Sequence, residues 1–299
     1  MAQLRLNERV IVITGAGRGL GREYALCLAA RGARVVVNDL DDAEGEETNA
    51  AQAVVDEIER AGGNAVADTN SVATPDGARA LIQTALTAFG CVDALVNNAG
   101  VIMHEPIDAL TDQAFDATIT VNVKGALYAT RAAWDHLSAS GSGRVVNATS
   151  ASGLLGVRGS TSYATTKAAL VGLTRVLAIE GAELGIRANL IAPLALTRMT
   201  TAVTLPGWTP ERMHPRLVAP VVAWLCSEEC SSNGEILSAG GGRVARYFTS
   251  LTTGYFDPEL TPETVRDHID QIRDEADAIV PNSPSDEFDL LMTHFDQSV

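Results

Sequence analysis

At positions 160–167 the chain reads STSYATTK, which sets Tyr163 and Lys167 four residues apart. Four residues is just over one helical turn, so both side chains project from the same face of a helix. A phenol with its ordinary pKa near 10 is a poor base at neutral pH. A neighbouring positive charge favours its phenolate and makes it a usable proton acceptor. The type of cation matters here. Lysine and arginine together number 22, yet only Lys124 and Lys167 are lysines. A chain that takes nearly all its positive charge from arginine has an ammonium at 167, a compact charge whose pKa responds to its surroundings. The competing reading is a solvated lysine on an exposed helix face, and Tyr-x-x-x-Lys by itself is a common coincidence.

Two further residues belong with this pair. Ser150, in NATSAS just past an apolar run, offers a hydroxyl able to orient a substrate oxygen and stabilise charge developing on it. Asn122, in VNVKG, lies inside a helical pattern, where asparagine is disfavoured because its side chain competes for backbone partners.

These residues need elements to position them. Apolar runs at 9–14, 33–39, 64–68, 92–98, 143–149, 187–192 and 234–239 read as strands, and their near-continuous Val/Ile/Leu content suits a sheet covered on both faces. Helical patterns lie between them near 20–31, 43–61, 76–89, 112–139, 163–184 and 211–228. The alternation predicts an α/β fold, a doubly wound parallel sheet of about seven strands with right-handed crossovers. From residue 243 the chain turns acidic and partly aromatic. It is expected to leave a domain at 1–242 for a helical C-terminal extension at 243–299. There Thr261 caps a helix starting at Pro262, with Val265, Ile269 and Ile272 on one apolar face.

Directly after the first strand comes TGAGRGLG. Gly15 permits a tight turn, Gly19 lets backbone approach a pyrophosphate, and Gly21 allows close packing of helix on strand. The helix N-terminus offers free amides to phosphate. Asp39 ends the second strand, where a carboxylate accepts hydrogen bonds from ribose hydroxyls and repels a 2′-phosphate. NAD is therefore expected over NADP, although Arg18 in the loop pulls weakly the other way. Asp39 as a simple turn cap before the acidic DLDDAEGEE run is the alternative.

Taken together, TGAGRGLG, Asp39, NNAG at 97–100, Asn122, Ser150, Tyr163 and Lys167 resemble the short-chain dehydrogenase/reductase family along essentially the whole chain. The resemblance implies an Asn122–Ser150–Tyr163–Lys167 catalytic tetrad, with Asn122 helping to hold a proton-relay water. It implies cofactor contacts from Gly15, Arg18, Gly19, Leu20, Gly21 and Asp39, from Ser71 and Val72 at the adenine, and from Asn98, Ala99 and Gly100. Tyr163, Lys167 and Leu196 complete the set. A narrower likeness is carried by VVVNDL, RMT, VAPVVAWLCSEECSSNG and ELTPETVRDHI. These resemble the (3R)-3-hydroxyacyl-CoA dehydrogenase modules of the peroxisomal multifunctional type 2 enzymes. That likeness implies oxidation to a 3-ketoacyl-CoA, and a tail that completes the active-site cavity across a homodimer or homotetramer. Two positions depart from the family pattern. Leu194 follows Pro193 where glycine is usual, and Asn70 stands where aspartate often precedes the adenine contacts.

Composition sets the remaining bounds. A net charge of −15 argues against a general nucleic-acid or anionic-membrane surface. The four cysteines are scattered and read as free thiols, with neither disulfide nor zinc spacing. No apolar run is long enough to span a membrane, the start shows no secretory core, and the chain ends in DQSV rather than a peroxisomal address. A free-standing cytoplasmic enzyme is expected, acting on an acyl-CoA or a steroid-like alcohol. A steroid or other alicyclic-alcohol dehydrogenase is the second reading, and a non-catalytic dinucleotide sensor the third. The segment from Leu194 to Pro215, with Arg198, Met199, Trp208, Arg212 and Met213, and with Arg216 just beyond, is expected to form the substrate lid.

Overall fold

A computed structural model of the protein describes residues 3–40, 49–200 and 207–296. The first strand, β1 (Val10–Thr14), is wholly buried and leads into α1 (Gly19–Ala29) and β2 (Arg34–Asn38). Then come α2 (Ala50–Arg60), β3 (Asn64–Asp68), α3 (Pro75–Phe89) and β4 (Ala94–Asn97). Asn49 caps α2 by accepting from the Gln52 N–H; the part of the expected helix at 43–48 lies outside the described residues. Next are α4 (Asp112–Ile119), α5 (Gly125–Ala139), β5 (Arg144–Ala148), α6 (Ala151–Leu155) and α7 (Thr161–Gly181). β6 (Arg187–Pro193), α8 (Ala219–Leu225), β7 (Ile236–Gly240) and β8 (Arg243–Tyr247) follow.

The sheet runs β3-β2-β1-β4-β5-β6-β7-β8, and the registered pairs through β7 are all parallel. Successive strand residues face opposite sides, so the apolar runs feed two cores. Ile11, Ile13, Val35 and Val37 pack with Tyr24, Leu28, Val54 and Val222 on one face. Val10, Val12 and Val36 pack with Leu81, Ala133, Leu137 and Leu177 on the other. The expectation of about seven strands is corrected to eight. Gly241 and Gly242 hold φ of 59° and 83°, the left-handed pair of a tight two-residue turn, so the chain past them re-enters the sheet.

The helix expected at 112–139 is also interrupted. Between α4 and α5 the ladder widens into a π segment, Thr120–Lys124, with Asn122 inside it. Single π turns within α-helices occur disproportionately at functional sites.

The chain divides into compact units at Met1–Arg246 and Tyr247–Val299, beside the expected boundary at 242/243. In the second unit Thr261 caps α9 (Pro262–Asp267) through a reciprocal box with Thr264, and α10 (Ile269–Ile272) and α11 (Pro284–Asp296) follow. A break at His268 divides the expected single helix. Tyr255 stacks on the His268 ring at 3.9 Å, and Leu251 pairs with Ile279.

One core group is out of place. Tyr24 is fully buried, and its hydroxyl has no hydrogen-bond partner among the described residues. Burial alone drives that phenol far above its ordinary pKa. Tyr24→Phe keeps the ring and removes the orphan, so it is expected to stabilise the fold by about 1 kcal/mol. Urea midpoints would show this, and an equal loss of stability would mean the hydroxyl is bonded.

Candidate active site

Strand order reverses at β1, with β2 on one side and β4 on the other, which opens a crevice beyond their carboxyl ends. A cleft of about 390 Å³ lies there. Its floor is backbone drawn close by glycine. Gly15 has φ of 62°, and a Cβ on it would come within 2.8 Å of the Ala99 Cα. A Cβ on Gly21 would overlap the Gly15 carbonyl. Gly19, at φ 55°, opens α1 with nothing nearer than 3.8 Å to its missing side chain, which leaves room for a ligand at the helix N-terminus. β4 ties the turn down. The Asn98 amide donates to the Thr14 and Gly15 carbonyls at 3.0 and 2.9 Å, while the Thr14 hydroxyl accepts the Asn98 and Ala99 N–H groups.

Asp39 lines the same cleft, one oxygen accepting the Gly17 N–H at 2.8 Å and the other the Leu40 N–H at 2.9 Å. The carboxylate is thus fixed against the glycine loop. Gly17 was not singled out from the sequence, although a Cβ there would meet Asp39 Oδ2 at 2.8 Å. At the far end Asn70, Ser71 and Val72 line the wall. The buried carboxylate next to Asn70 is that of Asp68. That carboxylate accepts from Asn38, Asn70 and Thr84 at 2.7–3.0 Å.

At the other end, three consecutive residues at the close of β5 address the α7 pair. The Ala148 carbonyl accepts the Lys167 ammonium at 2.7 Å. The Thr149 hydroxyl donates to the Lys167 carbonyl at 2.7 Å, and the Thr149 N–H reaches Ile191 O. Ser150 acts on the Tyr163 phenol, favouring its ionised form, and caps α6 by accepting the Ser152 N–H. Gly153 lets α6 rest directly on α7, since a Cβ there would lie 2.7 Å from the Lys167 Cβ. Lys167 is only 4% exposed, whereas Lys124 is exposed, so the solvated-face reading fails for 167.

Burial lowers the Lys167 ammonium to about 8. Burial also raises the Tyr163 phenol, with the Ser150 hydrogen bond opposing, although the ammonium lies 5.6 Å from the ring centre. In the protein alone the phenol is therefore shifted upward by its burial, opposite to the lowering expected from Lys167. Asn122 is 1% exposed, and its side chain is committed to structure. Oδ1 accepts the Val101 N–H at 2.8 Å, and Nδ2 donates to Val101 O and Thr166 Oγ1 at 3.0 Å.

Of the cofactor residues expected from sequence, the cleft gathers Gly15, Arg18, Gly19, Leu20, Asp39, Ser71, Val72, Asn98, Ala99, Gly100, Tyr163 and Lys167. Gly21, Asn122, Ser150 and Leu196 are not among its lining residues, and the Leu196 N–H donates to Met213 O. Thr149 and the Ala148 carbonyl are not among the residues expected from sequence; both lie in NATSAS, of which the sequence singles out Ser150. Leu194 lies against Gly240, whose missing Cβ would fall 2.5 Å from the Leu194 Cβ. Of the expected lid, Arg198 and Met199 line the cleft, Met213 is buried, and 201–206 lie outside the described residues.

A family model described as short chain dehydrogenase matches residues 9–205. A short-chain type dehydrogenase/reductase of Mycobacterium tuberculosis is 49% identical over 244 residues, covering 81% of this chain and 85% of that protein. Peroxisomal multifunctional enzyme type 2 of Mus musculus is 41% identical over 287 residues, 94% of this chain but 38% of its own length. The solved full-length counterpart from Drosophila melanogaster superposes with a TM-score of 0.83 at 34% identity, covering 98% of this chain and 50% of that one. The chain belongs to the short-chain dehydrogenase family and is an oxidoreductase.

Two measurements probe how Lys167 is held. Thr149→Val removes a buried donor and is expected to cost about 1–3 kcal/mol and lower kcat, while Thr149→Ser, which keeps the hydroxyl, stays near wild type. Equal kcat for the two variants would remove Thr149 from the positioning of Lys167. Folding lowers the Lys167 pKa from 10.5 to about 8, so the buried ammonium costs stability below pH 8, on the order of 3 kcal/mol. That cost fades as pH rises toward 10.5. Lys167→Met is therefore expected to be more stable than wild type at pH 7, with the gap closing above pH 8. A gap independent of pH would contradict a depressed lysine.

Proposed function

We propose that this oxidoreductase interconverts a secondary alcohol and its ketone with NAD, and that its substrates are (3R)-3-hydroxyacyl-CoA thioesters. The observation that carries the chemistry is the run Ala148-Thr149-Ser150, whose first two members hold the Lys167 ammonium and carbonyl and whose third favours ionisation of the Tyr163 phenol. The cleft suits a dinucleotide. Its glycine cradle leaves backbone free to approach phosphate at the α1 N-terminus, and Asp39 is fixed where the second strand ends.

In this reading Ser150 holds the substrate hydroxyl beside Tyr163, and the Tyr163 oxygen takes its proton as the C–H bond breaks. The nicotinamide ring, when bound, supplies the acceptor for the departing hydride. Lys167 has three donors with one on Ala148 O, which leaves N–H groups to hold ribose hydroxyls while its charge stays beside the phenolate. Asn122 braces the segment at Val101 against α7 through Thr166, and its π turn is where a relay water would be held.

Support for the acyl-CoA class comes from the likeness to the peroxisomal type 2 dehydrogenase modules, which runs on into ELTPETVRDHI. We propose a cytoplasmic homodimer or homotetramer in which that tail buttresses an active site. Val176 and Ile179 on α7, 50% and 70% exposed, are apolar surface of the kind subunit contacts cover.

Asp39 is expected to give NAD at least about a tenfold advantage over NADP in kcat/KM, equivalent to about 1.4 kcal/mol of repulsion at the 2′ position. Asp39→Ala should bring the two toward parity. A wild type that uses both equally would overturn this reading of Asp39. Substrate class is tested by following NAD reduction with 3R and 3S hydroxyacyl-CoA and with steroid alcohols. Turnover of the 3R thioester is expected; turnover of steroids alone would favour the alicyclic reading, and turnover of none would favour a sensor.

A further inference from the structure

The opposite rim of the sheet, where the strands begin, holds a second cavity of about 470 Å³. The segments leading into β5, β6 and β7 form it, including Ser142, Arg144, Arg187, Glu228 and Ser231. Arg144 and Arg187 are register partners at the first positions of β5 and β6, so two like charges stand side by side on adjacent strands. That pairing is unfavourable unless something answers it. Their hydrogen bonds go to uncharged groups. Arg144, 4% exposed, donates to the Ser227, Gly143 and Glu228 carbonyls at 2.9–3.0 Å, and Arg187 donates to the Cys230 carbonyl.

Each guanidinium has five N–H donors, so both keep unused ones. Neither has a carboxylate within 4.0 Å among the described residues. Glu228, the carboxylate on the cavity wall, pairs with a third guanidinium, Arg9, at 3.0 Å. Arg9 is itself 6% exposed and has a buried Nε without a partner. In a chain of net charge −15, this rim concentrates three buried or half-buried guanidiniums around a roomy cavity. Paired N–H edges of this kind match the oxygens of a tetrahedral oxyanion.

We propose that this cavity is a second ligand site, separate from the dinucleotide cleft, which takes the phosphate group of a small molecule between Arg144 and Arg187, with the Ser231 hydroxyl at its mouth. The inference stands apart from the choice of alcohol substrate.

The test is thermal melting of the full chain with its dinucleotide cleft saturated by NADH, or by NADPH if that binds instead. Inorganic phosphate is titrated against sodium chloride of matched ionic strength. A saturable rise in Tm with phosphate and none with chloride is expected. Arg187→Gln should weaken the apparent phosphate affinity at least tenfold while leaving dinucleotide affinity unchanged. Ser231→Asp, an exposed change that keeps the fold even should Arg187→Gln fail, should raise the phosphate-free Tm by answering the two charges, and should abolish the phosphate response. A phosphate response equal to that of chloride, or undiminished in Ser231→Asp, would overturn the site.

Discussion

The organisation of this candidate site turns on one buried ammonium. Removing the Lys167 charge from water is costly, and the Ala148 carbonyl, at 2.7 Å, answers it as a strong acceptor. Everything nearby keeps that geometry fixed. Thr149 pins the backbone of Lys167, Gly153 brings α6 flush against it, and Thr166 links α7 to Asn122 and so to the segment after β4. Beneath lies a buried polar layer in which Asn97 donates to Asn147 and Thr130, and Asn147 donates to Thr174 of α7. Such a network fixes one register of helix on sheet, because any slip leaves buried amides unpaired. The tyrosine is positioned as a consequence.

The sheet explains why this corner faces the glycine loop. Parallel strands put all their carboxyl ends on one edge, and the reversal between β2, β1 and β4 parts the loops there. Thr14, at the end of β1, receives two N–H groups from the loop after β4, so the crevice is tied at its root and open at its mouth. The other edge of the sheet carries a separate charge pattern, three guanidiniums where the strands begin.

Much of this was legible in the sequence, for identifiable reasons. Strands buried on both faces leave continuous Val/Ile runs, so β1 to β7 appear within a residue or two of their bounds. Tyr163 and Lys167 were readable because helical spacing and the scarcity of lysine mark them. β8 was missed because RVARY has no apolar run, and Gly241-Gly242 read as an ending rather than a turn. The π turn at Asn122 left only the trace of an asparagine in a helical pattern, since no residue type announces a widened ladder. Thr149 and the Ala148 carbonyl stayed hidden for a different reason. Their contribution is backbone and short-range geometry, which β5 and α7 create only when docked. The charge balance at Tyr163 was likewise beyond sequence, because it depends on how completely the phenol is desolvated.

The central claim is that position 167 is shaped for a compact, desolvated ammonium serving the Tyr163 hydroxyl. Lys167→Arg tests it most directly, since it keeps a positive charge but spreads it over a planar fork too large for the space between Ala148, Gly100 and Gly153. Steady-state turnover of the variant across pH is the measurement. A large fall in kcat is expected, with the residual activity shifted to higher pH as the phenol loses its close cation. Wild-type kcat with an unchanged pH profile would contradict it.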